Sequence, residues 1–183
     1  MPPSDHAALR HSANVLGALA LVLHDRMTAA IADAVGQTET GAATLSMLDN
    51  FLEEPRVGLI HQIVGLTPSG AVRLVDRLEA HGYLERGPGS DARSTSLRLT
   101  AGGRDAARKV AEARADVLVD ALSALTPKQQ QTLDELVSRI LASLIRGPGA
   151  TRWTCRLCDA DACGHDRGTC PVANAARERF GSG

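Results

Sequence analysis

Leu16, Leu19, Leu23, Met27, Ile31 and Val35 recur at three- and four-residue steps, which places them on one face of a helix over residues 5–35. Asp5 can cap that helix and Gly36 can stop it. A helix of about thirty residues spans roughly 45 Å, more than one small domain needs, so the pattern predicts packing against a partner chain, with a single long core helix as the alternative. Thr40, Leu45, Leu48 and Leu52 mark a second helix over 39–53, and a third covers about 55–64, ending at Gly65. Thr67 and Pro68 open a fourth as N-cap and first helical residue, where proline's missing N–H costs nothing; His81-Gly82 ends it. The period then changes. Tyr83–Arg86 and Ser96–Leu99 alternate like short strands across the Gly-rich polar segment 87–95. Helices over about 101–124 and 126–145 follow, the second opened by Thr126-Pro127. Gly147-Pro148-Gly149 separates a body, 5–146, from a tail, 150–183, in which residues 172–180 can form one short closing helix. The fold class expected is mainly α with a small two-stranded β-wing.

The stretch from Leu66 to Thr100 carries the chemistry. Two short helices joined by a brief turn, the second starting at a Thr-Pro cap, make a helix-turn-helix. On the second helix Ser69, Arg73 and Arg77 share a face at i, i+4 and i+8, while Leu74, Val75 and Leu78 fall on the opposite, core-directed side. Such a helix can lie in the major groove, where arginine donates two hydrogen bonds to guanine O6 and N7. The helix N-terminus at Thr67 and Ser69 can take a phosphate. Arg93 sits at the tip of the following loop with Asp91 two residues before it to orient its guanidinium, and an extended arginine suits the narrow minor groove. Arg86 and Arg98 on the flanking strands are placed for phosphates. The competing reading is an arginine-rich solvated face that pairs with Asp76 or neighbouring acids, beside an ordinary surface hairpin.

Ser69-Gly70-Ala71-Val72-Arg73-Leu74-Val75-Asp76-Arg77-Leu78-Glu79 resembles the recognition helix of the MarR family of bacterial transcription regulators. Asp91-Ala92-Arg93-Ser94-Thr95-Ser96-Leu97-Arg98-Leu99-Thr100 resembles that family's wing pattern, D-x-R-x-x-x-L-x-L-T, and the two segments follow in the family's order. A weaker likeness extends over about residues 8–145. The resemblance implies a winged helix-turn-helix with a DNA-binding lobe at about 39–100, and long N- and C-terminal dimerisation helices. It implies a homodimer whose two recognition helices read a pseudo-palindrome in double-stranded DNA, with Ser69, Arg73 and Arg77 in the major groove and Arg93, supported by Asp91, in the minor groove. A small-molecule effector between the dimer helices and the DNA-binding lobe is also implied; no motif identifies it.

Composition narrows this reading. Lys+Arg 20 against Asp+Glu 21 leaves a formal net charge of -1, so any nucleic-acid surface is local. From Thr67 to Arg98 the arginines 73, 77, 86, 93 and 98 face Asp76, Glu79, Glu85 and Asp91, so specific binding must depend on dimer geometry more than on raw attraction. All basic residues but Lys109 and Lys128 are arginines, which suit bidentate contact with guanine or phosphate. Aromatics are only 2%, Phe51, Tyr83, Trp153 and Phe180, which argues against a stacking surface for single strands. No run approaches the roughly 18 uninterrupted apolar residues of a membrane span and no basic-then-apolar leader is visible, so the expected address is cytoplasmic, on the nucleoid, with no membrane partner.

All four cysteines lie in the tail, as C-x2-C-x4-C-x6-C at Cys155, Cys158, Cys163 and Cys170, with His165 between the last two. In a reducing compartment such a cluster points to metal or redox chemistry rather than structural disulfides. Two thiolates from a CxxC turn and two more can close a tetrahedral Zn2+ site, with His165 as an alternative ligand to one cysteine. Asp159, Asp161 and Asp166 make the segment polar, so no apolar core is expected to hold it and metal would order it. Trp153 and Phe180 flank it as candidate anchors. A Cys155–Cys158 disulfide switch, with Arg152 and Arg156 lowering the thiol pKa, is the main rival; an iron–sulfur cluster is third, since Cys170-Pro171 is ferredoxin-like but the cysteine intervals do not match.

Against an enzyme, there is no Gly-rich phosphate loop, nucleophile motif or paired-acid pocket, and His24, His61 and His81 stand alone. A thiol or metal enzyme, and an adaptor using the winged helix without DNA, remain the alternatives of other classes. The expected function is a homodimeric repressor that occludes a promoter.

Overall fold

A computed structural model describes residues 3–89, 95–147 and 149–181, with side chains from His6 onward. Helix α1 runs Pro3–Val35, α2 Glu39–Asn50, α3 Val57–Val64 and α4 Pro68–Ala80; β1 is Leu84–Pro88 and β2 Thr95–Leu99. Helices α5 (Ala101–Leu122) and α6 (Pro127–Leu144) complete the body, and α7 (Thr151–Thr154), α8 (Ala160–Cys163) and α9 (Pro171–Phe180) form the tail. The mainly α architecture with a two-stranded wing is as expected.

Helix α1 begins two residues before Asp5, so Asp5 is inside the helix rather than its cap. Pro3 accounts for the earlier start, because its fixed φ suits the first turn and its absent N–H would have had no partner there. Only the C-terminal end of the apolar face is buried within one chain. Ile31 and Val35 enter the core, whereas Leu9, Val15, Leu16, Leu19, Leu21 and Val22 are exposed. The same helix is, by length and composition, apolar enough to cross a membrane. It packs along α5, where Arg26 donates to Asp120 Oδ2 at 2.8 Å.

Helix α2 stops at Asn50, short of the 39–53 expected from periodicity. Two backbone constraints end it. Glu54 takes a left-handed φ of 46°, and it precedes Pro55, whose ring disfavours the helical region for the residue before it. Leu52 still reaches the core, from the loop. This turn delivers Pro55 and Arg56 to β2: Leu97 N–H donates to the Pro55 carbonyl at 3.0 Å, and Arg56 bridges Ser96. The wing thus has a third short partner that alternation did not reveal. β1 and β2 pair antiparallel with Leu84 opposite Leu99 and Arg86 opposite Leu97, and Gly87, Pro88 and Thr95 belong to strands rather than to the loop. Asp91 and Arg93 lie outside the described residues, as does Pro148.

Leu45, Met47, Ile60, Leu74, Val75, Leu78, Leu84, Leu97 and Val110 form the main core. A second, smaller core of Ile145, Ala150, Val172, Ala173, Ala175 and Ala176 encloses Cys155 and Cys170, with Leu141 and Ala142 of α6 against it. This corrects the expectation that the tail lacks an apolar core. The small residues of α9 let it lie close to α6, and this close packing, rather than bulky side chains, buries the cluster.

One contact fixes how α5 leaves the wing. Thr100 caps α5 by accepting from the Gly103 N–H at 3.0 Å, while the Thr100 N–H donates to the Tyr83 carbonyl at 3.1 Å. A Cβ on Gly103 would penetrate that carbonyl, which is backbone and cannot swing away. Gly103→Ala should therefore destabilise the protein by about 1–3 kcal/mol, the range for overpacking a closed contact, as measured by urea denaturation.

Candidate nucleic-acid interface and cysteine cluster

The presentation of α4 follows from its sequence. Thr67 Oγ1 accepts from the Gly70 N–H at 3.1 Å, Pro68 occupies the first turn, and Gly82, with φ 72°, lets the chain turn into β1. Ala71, Leu74, Val75 and Leu78 are buried. Ser69, Arg73 and Arg77 are exposed on the other side. Ser69 Oγ lies 3.3 Å from Thr67 Oγ1 at the helix start, where the free backbone N–H groups are. Arg77 reaches back to Thr38 Oγ1 at 3.5 Å, linking α4 to the cap of α2. Val72, 46% exposed, shares the outer surface with Ser69 and Arg73. Sequence reasoning missed it, although its i+3 spacing from Ser69 was a usable signal; an apolar group there can meet a thymine methyl.

The acids near α4 are engaged elsewhere. Asp76 Oδ1 accepts from Arg86 Nη2 at 2.6 Å, and Glu79 accepts from Arg86 Nη1. Arg98 pairs with Glu54 at 2.7 Å, and that hydrogen bond holds the Glu54 carboxyl below its ordinary pKa and the guanidinium above its own. Arg86 and Arg98, read from the sequence as phosphate contacts, are thus bound to carboxylates that brace the wing: Arg86 ties β1 to α4, and Arg98 ties β2 to the turn after α2. The same pairs remove the acids from competition for Arg73 and Arg77. Alternation along a strand could not distinguish these roles, because the partners come from other elements.

The four cysteines are all free and come together at the junction of α7, α8 and α9. Cys155 hydrogen-bonds Cys158, and Cys163 hydrogen-bonds Cys170. The first bond pushes Cys155 up, helped by burial, and pulls Cys158 down to about 6. Burial and Cys170 push Cys163 up to about 11. The arginine acting on Cys158 is Arg114 of α5, not Arg152 or Arg156. Arg156 instead pairs with Glu39 at 3.1 Å. Among the described residues, no group of three or more His, Cys, Asp or Glu side chains is drawn together tightly enough to hold a metal ion. His165 packs edge-on against Phe51, with ring centroids 5.3 Å apart. Trp153 and Phe180 are 44% and 42% exposed, so neither is the anchor expected of it. The tail is seated instead by Arg156 on Glu39, by the Ala160 N–H on Asn50 Oδ1 at 3.2 Å, by His165 on Phe51, and by Leu157 against the main core.

No protein-family model matches the chain, and no curated protein matches its sequence. Solved structures match it in shape. YusO from Bacillus subtilis superposes with a TM-score of 0.65 at 22% identity, covering 76% of this chain and 98% of its own. Wild-type MarR from E. coli in its apo form gives 0.57 at 20% identity, over 69% of this chain and 96% of that one. The Mycobacterium tuberculosis MarR family protein Rv2887, in complex with salicylic acid, gives 0.55 at 24% identity, over 69% and 93%. The chain has a MarR-like winged-helix fold.

Because the Thr67 hydroxyl alone caps α4, Thr67→Ala should cost about 0.5–2 kcal/mol in thermal or denaturant unfolding. Thr67→Ser should restore most of it.

Proposed function

We propose that this chain is a DNA-binding transcription regulator, a cytoplasmic, nucleoid-bound homodimer that represses by occluding a promoter, and not an enzyme. The observation that carries the reading is the two-sided α4. Its buried face is part of the core, and its exposed face offers Ser69, Val72, Arg73 and Arg77. Ser69 and the first-turn amides suit a phosphate, and the arginines suit guanine edges. Arg93, with Asp91, is proposed for the minor groove from sequence alone. The fold it shares with MarR supports the same assignment.

Dimerisation is part of the proposal for a reason visible in one chain. Leu16, Leu19 and Val22 of α1, Val119 and Leu122 of α5, and Leu136, Val137, Ile140 and Leu144 of α6 are exposed. Large apolar side chains exposed along three long helices are characteristic of a subunit interface. Covering it with a second copy also accounts for the apolar length of α1 without a membrane. Two copies of α4 held at a fixed spacing would compensate for the near-neutral charge of the lobe. For a small effector, the class represented by salicylic acid on Rv2887, the cleft of about 1050 Å³ between the end of α2 and the tail has room. It presents Arg152 and Arg177 beside Asp49, Glu53 and Asp166.

With a selected operator, Arg73→Ala and Arg77→Ala should each weaken specific binding by about 1–3 kcal/mol in fluorescence anisotropy. Arg86→Ala should lose less; equal, full affinity in all three variants would remove the DNA reading. Leu16→Glu combined with Leu19→Glu should yield monomers in light scattering and abolish operator binding while the helical circular dichroism persists.

A further inference from the structure

The four thiols have no part in the DNA reading, and their setting is unlike that of incidental surface cysteines. Cys155 and Cys170 are 3% and 1% exposed, and Cys158 and Cys163 are half-buried. They come from four places in the tail: the end of α7, the turn after it, the last residue of α8 and the N-cap of α9. The Cys158 N–H donates to the Cys155 carbonyl at 2.8 Å, the tight turn that sends two CxxC side chains the same way. Gly164, at φ 68°, reverses the chain immediately after Cys163, and Thr169 Oγ1 donates to the Cys163 and Gly164 carbonyls at 3.2 and 3.3 Å. That closure brings Cys163 back to Cys170. Cys155 in turn lies within electrostatic range of each of the other three.

Helices α7 and α8 have four residues each, too short to persist alone. The core around the thiols is largely alanine, which buries little area per residue. A ligand shared by the four thiols would add to what that packing holds. A four-sulfur set is soft and favours tetrahedral, thiophilic metals over Mg2+ or Ca2+.

We propose that Cys155, Cys158, Cys163 and Cys170 bind one Zn2+ as a four-thiolate structural site that clasps the tail and seats it on α2 through Glu39, Asn50 and Phe51. Without metal the thiols stand as two hydrogen-bonded pairs not drawn tightly enough to hold an ion. Binding would pull the pairs together and replace their hydrogen bonds with four Zn–S bonds of about 2.3 Å, the thiol protons leaving to solvent. Four protein ligands leave no open position, so the site supports structure and not hydrolysis. His165 is outside the set, because its ring is committed to Phe51.

The test uses the full-length protein purified under reducing conditions without a metal-affinity step. Elemental analysis should give one zinc per chain, and His165→Ala should retain it, whereas Cys163→Ser and Cys170→Ser should lose it. Because a cysteine variant can misfold, wild-type protein exchanged with Co2+ provides an independent readout: thiolate-to-metal charge transfer with intense tetrahedral d–d bands. Chelator should red-shift the emission of Trp153, the single tryptophan, and expose four reactive thiols. Metal-free protein with four freely reactive thiols would overturn the proposal. So would stoichiometric iron and sulfide, or intramolecular disulfides in the freshly purified chain. Loss of zinc from His165→Ala would overturn the four-cysteine assignment.

Discussion

Burial of one face of α4 is the constraint from which the rest of this molecule follows. Ala71, Leu74, Val75 and Leu78 are packed with residues of α2, α3, β1 and β2. Each large side chain of that set contributes about 1.5–3 kcal/mol on burial, so the helix cannot rotate about its axis without losing several such terms. That fixes the opposite face, and with it the direction of Ser69, Arg73 and Arg77. Thr67 and Gly82 set where the helix begins and ends, but the core sets how it is turned.

Electrostatics divide the arginines by role. Arg86 and Arg98 are half-enclosed by carboxylates from other elements and hold the wing against α4 and the turn after α2. Exposed pairs of this kind contribute little to stability, so their value is in orientation. Arg73 and Arg77 have no carboxylate partner among the described residues and keep their charge outward. A lobe with almost no net charge can thus present a locally basic surface.

The tail is attached to the same lobe, not suspended from it. Glu39 and Asn50 mark the two ends of α2, and both contact the tail, through Arg156 and the Ala160 N–H. Thr38, immediately before α2, also holds Arg77 of α4. A short path of direct contacts therefore runs from the cysteine junction to the exposed face of α4. Whatever orders that junction acts on an element that touches α4.

The sequence by itself determined most of the elements and the outward face of α4, because helical period, caps and turn residues are local signals. The Thr67-Pro68 start, the Gly65 and Gly82 stops, and the split of α4 into Leu74/Val75/Leu78 and Ser69/Arg73/Arg77 were all legible from spacing. Local pattern failed where distant residues decide. It overran α2, whose end is set by the strained Glu54-Pro55 turn, and it missed the edge that Pro55 and Arg56 supply to β2. It could not show that Arg86 and Arg98 pair with carboxylates, because those partners lie on other elements. It expected Trp153 and Phe180 to anchor the tail, yet close packing of alanines along α9 does so, with Leu157 and His165. Spacing could nominate four cysteines; only the chain's folding on itself, through Gly164 and the α9 cap, could bring them to one place.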